Sequence, residues 1–251
     1  MRRVLCLSLL LATGLACDDF GAVQREDTIP AYEAYLADHT TGPNVFRAQV
    51  RLEELYLAKA RDSGKLEDWD AYLERFPKGQ HTDAAIAERE ASLFAWAEWE
   101  ATPEAWKTFL DEYPKPRDKR GTPARDGLEA TTYAPHLSNG PMDIHDVNLA
   151  EDPTGPMNGK AFVVDVTNEG DKTIVQLWYR IHYLDADGHS LGYREWPVVA
   201  PLRNFPVPVE DDKTVPMKPG ETRRWEWWTG DLPERFAGKA RVIPIRIRFA
   251  E

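Results

Sequence analysis

The sequence predicts an α+β protein of two domains, helical hairpin repeats followed by an antiparallel β-sandwich. Three observations carry this. Aromatic-Leu pairs stand at a fixed spacing of 37 residues: Tyr35-Leu36, Tyr72-Leu73 and Phe109-Leu110. Apolar residues recur at helical spacing as far as Tyr113 and alternate from about Asp143 onward. Short alternating runs in the second half are separated by turn sequences such as Asn168-Glu169-Gly170-Asp171 and Asp185-Ala186-Asp187-Gly188. A period of this length marks stacked supersecondary units, which usually present binding surfaces rather than active sites.

Residues 1–16 read as an export signal. Arg2 and Arg3 are followed by a mostly apolar run from Val4 to Leu11, too short to span a bilayer as a stable helix. Thr13-Gly14-Leu15-Ala16-Cys17 resembles a bacterial lipobox, and the resemblance implies that Cys17 becomes the first residue of the mature chain and carries a lipid. The other reading is an ordinary cleaved signal with an incidental Cys. The only cysteines are Cys6 and Cys17, so the mature chain has no internal disulfide and no thiol nucleophile beyond that position. Residues 17–28, mostly polar from Asp18 to Asp27, read as a tether. Which membrane would hold the lipid stays open.

Residues 29–114 read as the helical repeats. Leu66, Trp69, Tyr72, Leu73 and Phe76 form one apolar stripe. Pro77 stops that helix, and Gly79 is expected to supply a left-handed exit. A second helix runs from about Thr82 to Glu100, rich in Ala. The same hairpin appears one period earlier, with helices at about 30–37 and 44–61. Thr102-Pro103-Glu104 opens a third unit with an N-cap, a Pro at the first helical position and an acid in the first turn. Its second helix is expected to fail, because Pro116, Gly121 and Pro123 break a charged stretch. Residues 115–142 therefore read as a linker or cap.

Trp69, Tyr72, Leu73, Phe76-Pro77, Gly79, Ala84 and Ala87, with Trp106, Phe109, Leu110 and Tyr113-Pro114, resemble the tetratricopeptide-like repeats of bacterial envelope lipoproteins. That resemblance covers about a third of the chain and implies a helical interaction surface without naming its ligand.

Residues 143–251 read as the β-sandwich, with strands expected at 144–150, 160–167, 173–184, 189–196, 213–217, 221–229 and 240–250. In 174–184 the residues Val175, Leu177, Tyr179, Ile181 and Tyr183 point one way and Gln176, Trp178, Arg180 and His182 the other. Ile243, Ile245, Ile247 and Phe249 are expected to share one face, with Pro244 marking an edge strand. Seven short strands suggest an immunoglobulin-like type. Val164-Asp165-Val166-Thr167-Asn168, Ile181 to Gly188 and Lys218-Pro219-Gly220-Glu221 resemble FxLYD-type extracellular sandwich modules, a family that implies a fold more than a function.

The formal net charge is −11, and the acidity lies in the repeats: residues 18–114 hold 21 Asp and Glu against 10 Lys and Arg. That distribution argues against nucleic acid, which needs clustered Lys and Arg. It suits a basic partner, a divalent cation, or simply a solvated face. No His pair has metal-ligand spacing, no Ser sits in a nucleophile elbow and no Gly-rich loop cradles phosphate. Asp185-Ala186-Asp187-Gly188 fits a hairpin turn better than a calcium loop. No cofactor, metal or enzymatic activity is expected.

The aromatic residues supply the candidate binding positions. Trp96 and Trp99 share a helix face and either fill the core or line a groove. In Trp225-Glu226-Trp227-Trp228, alternation puts Trp228 beside Arg224 on the face opposite the other two rings, with Trp178 and Trp196 as neighbours to be tested. The sequence thus predicts a lipid-anchored envelope protein that scaffolds another envelope protein. The competing reading is a glycan- or peptidoglycan-binding module built on the tryptophans of the sandwich.

Overall fold

The computed structural model describes residues 19–152, 155–200 and 211–251. The fold is mixed α+β, with helices first and two antiparallel sheets after. Residues 1–16, read from the sequence as an export signal, and Cys17 lie outside the described residues. Among the described residues no helix is long and apolar enough to cross a membrane.

Contacts divide the chain into two compact units, Met1–Arg89 and Glu90–Glu251. From the sequence the helical repeats end later, at residue 114.

In the first unit, α1 (Phe20–Glu26), α2 (Ile29–Asp38), α3 (Val45–Ser63), α4 (Leu66–Arg75) and the start of α5 (Thr82–Glu100) follow in order. The spacing of 37 reappears at the helix ends, for α2, α4 and α6 (Pro103–Glu112). Their N-caps are Thr28, Lys65 and Thr102, and their C-caps are His39, Phe76 and Tyr113. Each C-cap N–H donates to the carbonyl of the repeated aromatic: Tyr35, Tyr72 and Phe109. Thr28 and Thr102 also accept side-chain caps from Ala31 and Ala105, each with Pro in the first turn. The sequence repeat is therefore a repeat of termination chemistry as well as of apolar stripes.

Two expectations fail here. The segment assigned as a tether contains α1, whose Phe20 and Val23 are three apart and share one buried face. Phe20 stands against Tyr32 and Tyr35 with ring centroids 6.5 and 5.4 Å away. Asp27 then accepts from Arg51 Nε and Nη2 at 2.9 and 2.7 Å and from Tyr32 Oη at 3.2 Å. Gly79 does not adopt a positive φ. A Cβ there would lie 2.5 Å from Glu53 Oε1, so the glycine makes room for a carboxylate rather than for a left-handed turn. Glu53 Oε1 accepts from Tyr72 Oη at 2.8 Å and from the His81 backbone N–H at 3.1 Å.

In the second unit the end of α5, α6 and α7 (Gly121–Tyr133) precede the sheets. The expected failure of the third hairpin does not occur. Pro123 is the third residue of α7, inside the first turn, where the missing N–H breaks no helical bond. Gly127 sits under the Trp106 indole, and a Cβ there would come within 2.5 Å of the ring.

The first sheet has β3 (Gly155–Asn168) in the middle, β1 (Leu137–Asn139) and β2 (Asp143–Asp152) along one side and β6 (Thr222–Thr229) along the other. The second has β4 (Ile174–Leu184) between β5 (Ser190–Val199) and β7 (Lys239–Phe249). Phe162, Val164, Val166 and Trp225 from the first sheet share one core with Leu177, Tyr179, Ile181 and Ile247 from the second. The strand expected at 213–217 is absent. Asp211–Thr214 forms a 3-10 turn, and Met217 alone bridges to Ile174. Arg223 explains this: its guanidinium takes the carbonyls of Asp212, Val215 and Pro216 at 3.1, 2.5 and 3.0 Å. In β7 a bulge at Ile245 breaks the expected alternation, since Tyr179 pairs with Pro244 and Trp178 with Arg246. Ile247 faces the core, whereas Ile243 pairs with Arg180 on the opposite face. β7 is an edge strand, as its proline required.

Candidate functional site

The outer face of the second sheet is covered around Arg180 and His182. Arg180 and His182 are buried there because α5 and α7 lie over them. Arg180 places Nη1 2.8 Å from Glu98 of α5, and donates through Nε and Nη2 to Glu195 Oε1 at 3.1 and 2.7 Å. Its guanidinium stacks on Tyr193 at 4.1 Å. Burial works against the charge, but the two carboxylates outweigh it and hold the Arg180 pKa above its usual value. Asp126, buried on α7, binds Arg246 Nε at 2.9 Å and also Arg248. Arg241 Nη2 donates to the Glu100 carbonyl at 3.0 Å and lies over Trp99 at 4.8 Å. His182 is lowered to about 4 by burial first and then by the charges of Arg180 and Arg241, so it is neutral at pH 7. Its Nδ1 is 2.9 Å from Ser190 Oγ.

Where these helices meet the sheet they enclose a cleft of about 350 Å³. Phe94, Trp106, Ile243 and Pro244 give it an apolar wall, and Glu98, Glu195, Arg180, Asp126 and Arg246 a charged one. Ala101, Asp118 and Lys119 stand on its lining with φ of 52, 51 and 62°. Left-handed backbone costs a non-glycine residue about 1–2 kcal/mol, and such strain gathers at functional sites. Among the described residues only Asp27 shares it outside the cleft.

The residues singled out from the sequence do not converge. Cys17 lies outside the described residues. Trp96 is 39% exposed, while Trp99 stands edge-on to His182 at 5.4 Å. Trp228 is 58% exposed on the outer face of the first sheet, with Arg224 four residues before it and 3.6 Å from Glu226. Trp178 and Trp196 belong to the second sheet. Trp178 pairs with Arg246 on the face under the helices, and Trp196 packs against the shared core. The expected aromatic cluster is therefore dispersed, because its members came from different sheets and opposite strand faces. Sequence reasoning missed Arg180, Glu98, Asp126, Arg246 and Lys119. The one signal for them was the charge on β7 facing acids in α5 and α7.

Asp185, Asp187 and His189 each bring a donor atom within 4.8 Å of the others. The turn itself accounts for this. Asp185 Oδ1 accepts from the Asp187 and His189 N–H groups at 3.1 and 2.9 Å, and Gly188 has φ of 88°.

The first unit has its own groove of about 670 Å³, lined by Leu36, Val45, Phe46, Val50, Phe76 and Pro77 among others. Phe46, on its lining, is 72% exposed.

No protein-family profile matches the chain, and no curated protein matches it. Similar solved structures include an X-ray structure of a Northeast Structural Genomics Consortium target, at 8% identity over 46% of this chain and 86% of that one, with a TM-score of 0.25. Another is Pseudomonas fluorescens alkylpurine DNA glycosylase AlkC bound to DNA with an abasic site analog, at 10% identity over 89% of this chain and 64% of that one, with a TM-score of 0.28. At such scores neither likeness carries an argument about fold or function.

Proposed function

We propose that the protein is an exported, lipid-anchored envelope protein that docks another envelope protein and catalyses no reaction. In this reading the helical hairpins are tetratricopeptide-like, the two sheets form an immunoglobulin-like sandwich, and Cys17 carries the lipid. The observation that carries it is the groove of the first unit with Phe46 standing 72% exposed on its lining. A large exposed ring beside an apolar groove marks an interaction surface, since leaving it in water forgoes about 2 kcal/mol of burial. The acidic excess of the repeats favours a basic partner.

Crosslinking in intact envelopes followed by purification tests this. The expected result is one stoichiometric protein partner that is lost from Phe46→Asp, a surface change that leaves the melting temperature alone. Recovery of murein fragments with no protein partner refutes docking. Cys17→Ser is expected to release the protein from membranes, and undiminished retention refutes the anchor.

A second reading, glycan binding, now rests on Trp228 alone. It predicts that Trp228→Ala abolishes retention on murein.

A further inference from the structure

We propose that the groove of the first unit takes a partner segment in which Asp or Glu flanks large apolar side chains. The inference rests on the docking reading and adds to it the chemistry of the segment that enters.

The groove has an apolar floor. Leu36 of α2, Val45, Val50 and Leu52 of α3, and Phe76 and Pro77 beyond α4 supply it, with Phe46 standing 72% exposed beside them. A space of about 670 Å³ suits a few side chains of one helical or extended segment rather than a broad flat interface.

The mouth of the groove is cationic. The formal charges on the lining are Glu53, Arg75 and Lys78. Glu53 is already engaged, since its Oε1 accepts from Tyr72 Oη at 2.8 Å and from the His81 N–H at 3.1 Å. Arg75 and Lys78 are exposed and make no hydrogen bond or ion pair among the described residues. Arg47, next to Phe46, is a third exposed cation without such a partner. It stands in the first turn of α3, which holds no acid, although that end of a helix favours one.

Elsewhere in the same hairpins Arg51, Lys59, Arg61 and Arg89 each meet a carboxylate at 2.7, 2.8, 2.6 and 2.6 Å. Acids outnumber bases 21 to 10 across residues 18–114, so the three cations around Phe46 lack internal partners in a region with acids to spare. That leaves them for carboxylates brought from outside. The acidity of the repeats as a whole still favours a basic partner at long range. Beyond a Debye length of about 8 Å such charge is screened, and the nearest groups decide which segment seats. At this mouth they repel basic flanks and accept acidic ones.

Two crosslinks in intact envelopes test the proposal. p-Benzoylphenylalanine in place of Gln49, exposed on the lining, captures the occupant of the groove whatever its charge. A carbodiimide joins an amine directly to a carboxylate, so it reads whether an acid lies against Lys78. The expected result is one protein captured from position 49 and the same protein joined through Lys78 to an Asp or Glu. Lys78→Arg should lose that second link while capture from position 49 persists. Arg75→Glu combined with Lys78→Glu is expected to cut capture at least about tenfold with circular-dichroism melting unchanged. If the double variant melts lower, the carbodiimide result alone decides. Capture by a stably folded double variant at or above the wild-type level overturns this inference and leaves docking standing. So does a captured protein that is never joined through Lys78. Lipid or a second copy of this chain at position 49, or no product at all, overturns both.

Discussion

Two side chains show how single groups set the behaviour of their surroundings. His182 titrates at about 4 in the folded chain and near 6.5 when unfolded. The unfolded chain thus takes up a proton first as pH falls, and the stability tied to the neutral ring is complete above pH 6.5 and is lost on the way to pH 4. Urea unfolding is expected to show a loss on the order of 2–3 kcal/mol from this group across that window. His182→Gln should lessen the slope, and an unchanged slope would place the acid sensitivity elsewhere. Glu53 is the second case, because its carboxylate, held by Tyr72 and the His81 N–H, stands 2.5 Å from where a Cβ at position 79 would lie and must shift to admit one. Gly79→Ala is expected to destabilise by about 1–3 kcal/mol, and by clearly less in a Glu53→Ala background, as a double-mutant cycle would measure. Neither role was legible beforehand. The glycine was read for its conformational freedom, whereas the structure uses its lack of volume.

Helices were the most legible elements, since their apolar stripes, caps and stops are local. The repeat at 37 residues carried through to the cap hydrogen bonds of α2, α4 and α6. α7 was missed because prolines and glycines were counted rather than placed: Pro123 in a first turn permits a helix that the same residue one turn later would break. α1 was missed because seven residues carry too short a pattern to stand out. Just beyond α5, Ala101 continues the chain at φ of 52°, while its N–H still donates to the Ala97 carbonyl. Ala101→Gly is expected to stabilise the fold by about 1 kcal/mol, read as a raised denaturation midpoint at unchanged slope. A fall in stability would mean that the Ala101 methyl packs more than its backbone strains.

At the scale of the molecule, the second unit joins a helical layer to a sheet through charges rather than through apolar packing alone. Arg180, Arg246 and Arg248 reach from the strands, and Glu98, Asp126 and Glu129 answer from the helices. These partners lie about 80 to 120 residues apart in sequence, so no local pattern could pair them, and the cleft they frame was invisible for the same reason. Asp126 is the centre of this seam. Asp126→Ala removes a buried carboxylate from two arginines that are themselves 38 and 41% exposed, and is expected to cost about 1–3 kcal/mol, as measured by chemical denaturation. Asp126→Asn keeps the shape and part of the hydrogen bonding, and should cost less. The dispersal of the tryptophans belongs to this scale too: alternation assigned Trp228 and Trp225 to opposite faces correctly, but it could not say which sheet each strand would join.

The bulge at Ile245 gives β7 something like a shift in reading frame. Before it, Arg241 and Ile243 occupy odd positions on the helix-covered face; after it, Arg246 and Arg248 occupy even ones on that same face. The bulge takes up the one extra residue, so that the strand presents arginines to the helices at both ends while Ile247 stays in the sandwich core. Because the bulge absorbs Ile245, deleting that residue would leave a regular strand, with Arg241, Ile243, Arg246 and Arg248 still on the helix-covered face and Ile247 still in the core. A residue lost anywhere else in the strand changes which side chains face the helices, so chain length is a strict requirement outside the bulge and a loose one at it. Deletion of Ile245 should therefore keep the folded circular-dichroism signal, whereas deletion of Ile247, which turns Arg248 inward, should abolish it.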